Sequence, residues 1–121
     1  MNKFALAMIA AAVPMTAIDA MPVSTVLTKA DALKKKGAMA MFSSDLGLLK
    51  KELSTAGKQL GAERRAAIKA GRKPAYCPPA KGSFDTDDLL AYLHTIPPAQ
   101  RGMSLKAAYK GFLAKKFPCP A

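Results

Sequence analysis

Few residues in this 121-residue chain could do chemistry: two cysteines, one histidine, one acidic cluster and an excess of cations. Cys77 sits in "RKPAYCPPAKG" and Cys119 in "KKFPCPA", each walled in by prolines. As free thiols they would be nucleophiles or soft metal ligands. As a pair they would close a loop of about 43 residues, a crosslink that the chain-entropy account puts at roughly 4 kcal/mol. One histidine and two cysteines lack zinc-type spacing, so no metal is expected. His94 follows a short helical pattern without an evident carboxylate partner and reads as a satisfied or solvated residue at a helix C-terminus rather than a general base. Asp85, Asp87 and Asp88 lack calcium-loop spacing and suit capping and first-turn dipole roles. Met39 and Met41 in "AMAMF" resemble thioether copper ligands, but one pair without histidine reads as core filler. No "GxSxG", "HExxH" or glycine-rich phosphate loop is present. The expectation is a protein that is no enzyme and carries no cofactor.

The compartment decides the fate of the thiols. The chain opens "MNKFALAMIAAAVPMTAIDAMPVST": a positive Lys3, an apolar run from Phe4 to Val13, and Pro14 behind it. That is the layout of a secretory signal peptide, too short to span a membrane. Cleavage after Ala20 is expected, with Ala17 the competing site, so residues 1–20 are a signal peptide and 21–121 the domain. No cysteine follows the run to take a lipid anchor. An exported protein with two cysteines most simply pairs them, Cys77 with Cys119. The expected location is periplasmic or secreted.

The net charge of +11 is large for so small a chain. It favours an anionic partner: lipid headgroups, lipopolysaccharide or an acidic protein surface. Export argues against intracellular nucleic acid, so none is expected.

These residues must be positioned by helices. Apolar residues at 26, 27, 30 and 33 predict a helix over 23–36, closed by Gly37 with Lys34, Lys35 and Lys36 in its last turn. "AMAMFSS" links it to a long helix capped by Ser44 or Asp45. There Leu46, Leu49, Leu53, Ala56, Leu60, Glu63 and Ala67 alternate by three and four, a stripe suited to helix pairing. Gly57 and Gly61 interrupt it and could let another helix approach closely. The opposite face holds Lys50, Lys51, Lys58, Arg64, Arg65 and Lys69, the candidate partner- or anion-binding residues. Such a basic amphipathic helix suits a membrane surface, and equally the solvated face of a core helix. "RKPAYCPPAKGSFD" is a loop, since its prolines remove amide donors. A short capped helix, "LLAYLHTI", and a final helix, "LKAAYKGFLAKKF", follow. The fold expected is all-α: one small domain of about four helices, one of them long, with a disulfide-closed subdomain at 77–119.

The C-terminal part carries a resemblance. "YCPP", the helix "DTDDLLAYLHTIP", the break with "AQR", the helix "SLKAAYKGFLAKKF" and the closing "PC" resemble the Rap/Tai-type family of type VI secretion immunity proteins. The matching residues are Cys77, Pro79, Leu93, Pro97, Arg101, Phe117, Pro118 and Cys119. The resemblance spans about 43 residues and stops before the basic helix; the family's further N-terminal cysteines have no counterpart here. It implies a periplasmic helical protein, often dimeric, that neutralises a cell-wall amidase by covering its active site, with no catalysis of its own. On that reading the partner is a secreted effector, contacted through exposed residues of the 46–70 helix or the 78–86 loop. A second copy is a further expected partner for the long stripe. The alternative is a basic envelope protein that binds anionic lipid or lipopolysaccharide surfaces.

Overall fold

In the computed structural model, which describes residues 21–120, four α-helices carry the chain: α1 (Val23–Lys36), α2 (Ser44–Lys69), α3 (Thr86–Thr95) and α4 (Leu105–Lys116). The signal peptide expected at 1–20 lies outside the described residues. Among those described there is no strand, only an isolated antiparallel bridge between Pro22 and Ser104. Cys77 and Cys119 form a disulfide. The protein is therefore all-α with one staple, and no helix of the described residues is long and apolar enough to cross a membrane.

Local chemistry sets each boundary. α1 ends at Gly37, whose φ of 57° lies in the region open to glycine. The expected linker is instead a 3₁₀ segment, Gly37–Phe42. Ser43 caps α2, its side chain accepting from the Asp45 N–H at 3.2 Å. Asp45, expected as a cap, pairs with Lys29 at 2.9 Å and ties α1 to α2. α2 closes in a Schellman arrangement around Gly71 (φ 76°): the Gly71 N–H donates to the Ile68 carbonyl and the Arg72 N–H to that of Ala67. Asp85 is the N-cap of α3, and the Asp88 carboxylate accepts from its backbone N–H at 3.4 Å. Ser104 caps α4 through the Ala107 N–H at 3.1 Å.

Packing follows the periodicity. The expected α4 face, Leu105, Ala108, Tyr109, Phe112 and Leu113, is buried throughout. It meets Leu60 of α2, Leu89 and Leu93 of α3, and Val23, Val26 and Leu27 of α1 in one core. Phe84 stands edge-on to both Tyr109 and Phe112, and Tyr92 to Phe112, which fills the space between α3 and α4.

Two ties hold the periphery, and neither was visible as a motif. The residues leading into α1 lie along the approach to α4: the Leu105 N–H donates to the Met21 carbonyl at 2.7 Å, and the Val23 N–H to that of Met103 at 2.9 Å. Arg101, one of the residues carrying the family resemblance, donates from Nε to the Ile96 carbonyl at 2.9 Å and from Nη2 to that of His94 at 3.1 Å. It thereby satisfies carbonyls that the end of α3 leaves open.

Candidate binding surface

α2 and α3 both pack on α1 and α4 but scarcely touch each other. Between them lies a groove of about 360 Å³. Leu46, Leu49 and Leu53 of α2 form one wall, Leu89, Leu90 and Leu93 of α3 the other, and Val26, Ala30, Leu33 and Leu105 line it from α1 and α4. Polar groups stand only around these apolar walls: Lys34, Lys50, Thr86 and Asp87. A concave, mostly apolar site with a few polar groups is the ordinary form of a ligand or segment-binding pocket.

The groove exists because the α2 stripe outruns its partners. Its second half is covered: Ala56, Leu60 and Ala67 are buried. Glu63, the polar member of the stripe, is exposed and pairs with Lys106 of α4. Its first half, Leu46, Leu49 and Leu53, is half-buried because α3 stands off from it. Gly57 does admit a close approach, since the Tyr109 hydroxyl of α4 lies 3.6 Å from where its Cβ would be. Gly61 faces no other helix; the nearest atom to its Cβ position is Arg65 Nη1. Burial, and after it the neighbouring Tyr76 phenol, holds the Tyr109 pKa above the usual tyrosine value.

The six cations expected on one face of α2 separate into three groups. Lys51, Lys58 and Arg65 recur every seven residues and with Lys69 are exposed, with no salt bridge among the described residues. Lys50 stands at the groove instead. Arg64 turns inward: its Nε donates to the Tyr76 carbonyl at 3.0 Å, and its guanidinium carbon lies 5.8 Å from the centre of the Tyr76 ring. This fastens the stapled loop to α2, a job the sequence pattern did not distinguish from anion binding.

A second concavity, of about 380 Å³, surrounds that fastening at the end of α2. Arg64, Arg72, Lys73 and Lys110 line it, and its one acid, Glu63, is already paired with Lys106. Sequence reasoning missed it because its cations come from α2, the following loop and α4.

The other tempting residues take structural places. Cys119 and Cys77 are bonded to each other, and the Cys77 N–H donates to the Phe117 carbonyl at 2.8 Å. His94 has a carboxylate after all: Asp31 of α1 is 3.7 Å from its Nε2, with both side chains about half exposed. Lys116 reaches Asp88 at 3.9 Å. Among the described residues no three His, Cys, Asp or Glu side chains gather as a metal site would need. Met39, Met41 and Phe42 are 65%, 79% and 83% exposed, so the methionines expected as core filler fill no core. In comparisons with known proteins, the chain matches no family model, no curated protein and no solved structure.

Proposed function

We propose that this is an exported, non-catalytic binding protein that acts by stoichiometric occlusion of a protein partner, in the manner of an immunity protein against a cell-wall amidase. The observation that carries the reading is the apolar groove between α2 and α3. It presents Leu46, Leu49, Leu53 and Leu90 half-exposed on an otherwise well-packed helical frame, a surface suited to an apolar segment of a partner. The residues of the family resemblance supply that frame: the Cys77–Cys119 staple, Leu93 in the core and Arg101 on the end of α3. The effector itself would be recognised through the groove and its rim.

The test is capture from the exported fraction with oxidised bait, followed by assay of the captured protein. The expected partner hydrolyses cell-wall peptide and is silenced by one equivalent of the wild type. Bait carrying Leu49→Ser and Leu90→Ser should neither hold nor silence it. Equal inhibition by the double variant would overturn the groove as the contact, and a captured partner without wall-hydrolysing activity would overturn the immunity reading.

A second reading has its own observation. Lys51, Lys58, Arg65 and Lys69 are exposed and without salt bridges among the described residues, which favours an anionic lipid or lipopolysaccharide surface as partner. That reading expects binding to anionic vesicles that weakens as salt is added.

A further inference from the structure

The corner between α1 and α2 has an organisation that folding alone does not explain. The 3₁₀ segment Gly37–Phe42 contains no buried residue, although it carries Met39, Met41 and Phe42. These are the three most exposed large apolar side chains among the described residues, and they are nearly consecutive. Burying them would favour the fold, yet they cover none of the core. Three large apolar side chains left exposed within four residues suit a contact with something outside the chain.

The charges around the corner say what that something is. Lys34, Lys35 and Lys36 occupy the last turn of α1, immediately before the segment; all three are exposed and none makes a salt bridge among the described residues. Lys50 and Lys51 lie on the α2 side, about 10 Å along the helix from its start near the corner. Of the acids nearby, Asp45 is paired with Lys29 at 2.9 Å, and Asp31 stands a turn back on α1, 3.7 Å from His94. Glu52 is two turns into α2. The corner is therefore an apolar tip with a cationic collar.

We propose that this corner docks on an anionic lipid leaflet, with Met39, Met41 and Phe42 entering the boundary between headgroups and acyl chains and Lys34, Lys35 and Lys36 meeting the phosphates. The order of groups along the corner matches the depth profile of a leaflet, apolar below and anionic above. Self-association through the same corner would set two lysine clusters against each other, which disfavours a second copy as the occupant. The inference rests on the lipid-surface reading but moves the contact from the outward face of α2 to the tip of the helical hairpin.

The experiment is a vesicle sedimentation titration with protein purified as the cell processes it. All variants share one N-terminus, fixed by mass spectrometry, and native helicity is checked by circular dichroism. Vesicles contain phosphatidylglycerol in phosphatidylethanolamine, with phosphatidylcholine alone as the neutral control. The wild type should bind the anionic vesicles and not the neutral ones. Replacing Met39, Met41 and Phe42 by serine should weaken binding about tenfold or more, and Lys34→Glu, Lys35→Glu and Lys36→Glu together at least as much. Lys58→Glu, Arg65→Glu and Lys69→Glu together, on the outward face of α2 away from the corner, should change it far less. If that last variant alone abolishes binding, the corner is overturned while the lipid reading stands. A wild type that ignores anionic vesicles overturns both. Concentration-dependent dimers abolished by the serine variant, with no vesicle binding, would give the corner to a second copy instead.

Discussion

The two halves of α2 carry the same three-and-four spacing, apolar throughout but for Glu63 in the second, yet the molecule covers only that second half. From Ala56 to Ala67 the stripe is shut in by α4, and Arg64 fastens the stapled loop beside it. From Leu46 to Leu53 it is left half-open, ending at a corner whose apolar side chains face outward. The difference is one of length: α2 has 26 residues, whereas α3 and α4 have 10 and 12. Two short helices on one staple cannot screen a helix twice as long. Stability therefore concentrates at the closed end, and apolar surface for other molecules remains at the open one.

The largest effect should come from cutting the staple. Reducing the Cys77–Cys119 bond, or replacing both cysteines by serine, frees a loop of about 43 residues and should remove about 4 kcal/mol of stability. Denaturant unfolding of oxidised and reduced protein measures it. A loss under about 1 kcal/mol would mean that the closed end is held by its core alone, and the contrast between the two ends would have to be restated.

The same substitution at each end sharpens the contrast. Leu60 is 2% exposed at the closed end, and Leu60→Ala should cost about 3 kcal/mol through the cavity it leaves. Leu49 lines the groove with solvent on one side, so Leu49→Ala should cost about 1 kcal/mol. Equal losses would show that the groove wall is part of the core and that α3 closes on α2 in solution.

Helix periods, caps and stops were legible in the sequence because they depend on neighbours within a turn or two. The α4 face, the stop at Gly37 and the Ser104 cap follow from local spacing, and the expectation of export made the staple the simplest fate of the two thiols. The site was legible only in part. Arg64 and Arg65 are adjacent in a basic run, yet one points into the Tyr76 carbonyl and the other to solvent. Which of them does so depends on where a loop a dozen residues later returns. The groove depends on a contact that α2 and α3 fail to make, and no pattern within either helix records that. Met39 and Met41 looked like core residues because composition carries no information on which side of a corner faces the protein.

Arg101 offers a middle-sized test of how the ties work. Its guanidinium bridges the carbonyls of His94 and Ile96 from the far side of the Pro97–Pro98 break, and its own carbonyl accepts from the Ser24 N–H at 2.9 Å. Arg101→Ala should cost about 1.5 kcal/mol, since hydrogen bonds from a charged donor are lost and two helix-end carbonyls are left to water. Arg101→Lys should recover little of it, because an ammonium cannot reproduce the forked geometry. Full rescue by lysine would mean that charge near the end of α3 matters and the bridge does not.

Glycine to alanine, made once within α2 and once in the stapled loop, gives the smallest effects and should give opposite signs. At Gly57 the backbone is helical, and an added Cβ would sit 3.6 Å from the Tyr109 hydroxyl, ordinary contact distance. Nothing must move, so alanine's better helix propensity should raise stability by about 0.5–1 kcal/mol. At Gly82 the same Cβ would lie 2.8 Å from the Pro79 Cδ and 3.2 Å from a Phe117 ring carbon. The proline ring is tied to the backbone beside Cys77 and cannot swing away, so the loop itself must shift. Gly82→Ala should therefore lower stability by about 1 kcal/mol. Thermal melts of the two variants beside the wild type decide it. A gain at Gly82 would show that the loop around the staple is loose enough to yield, and would weaken the account of that end as closed.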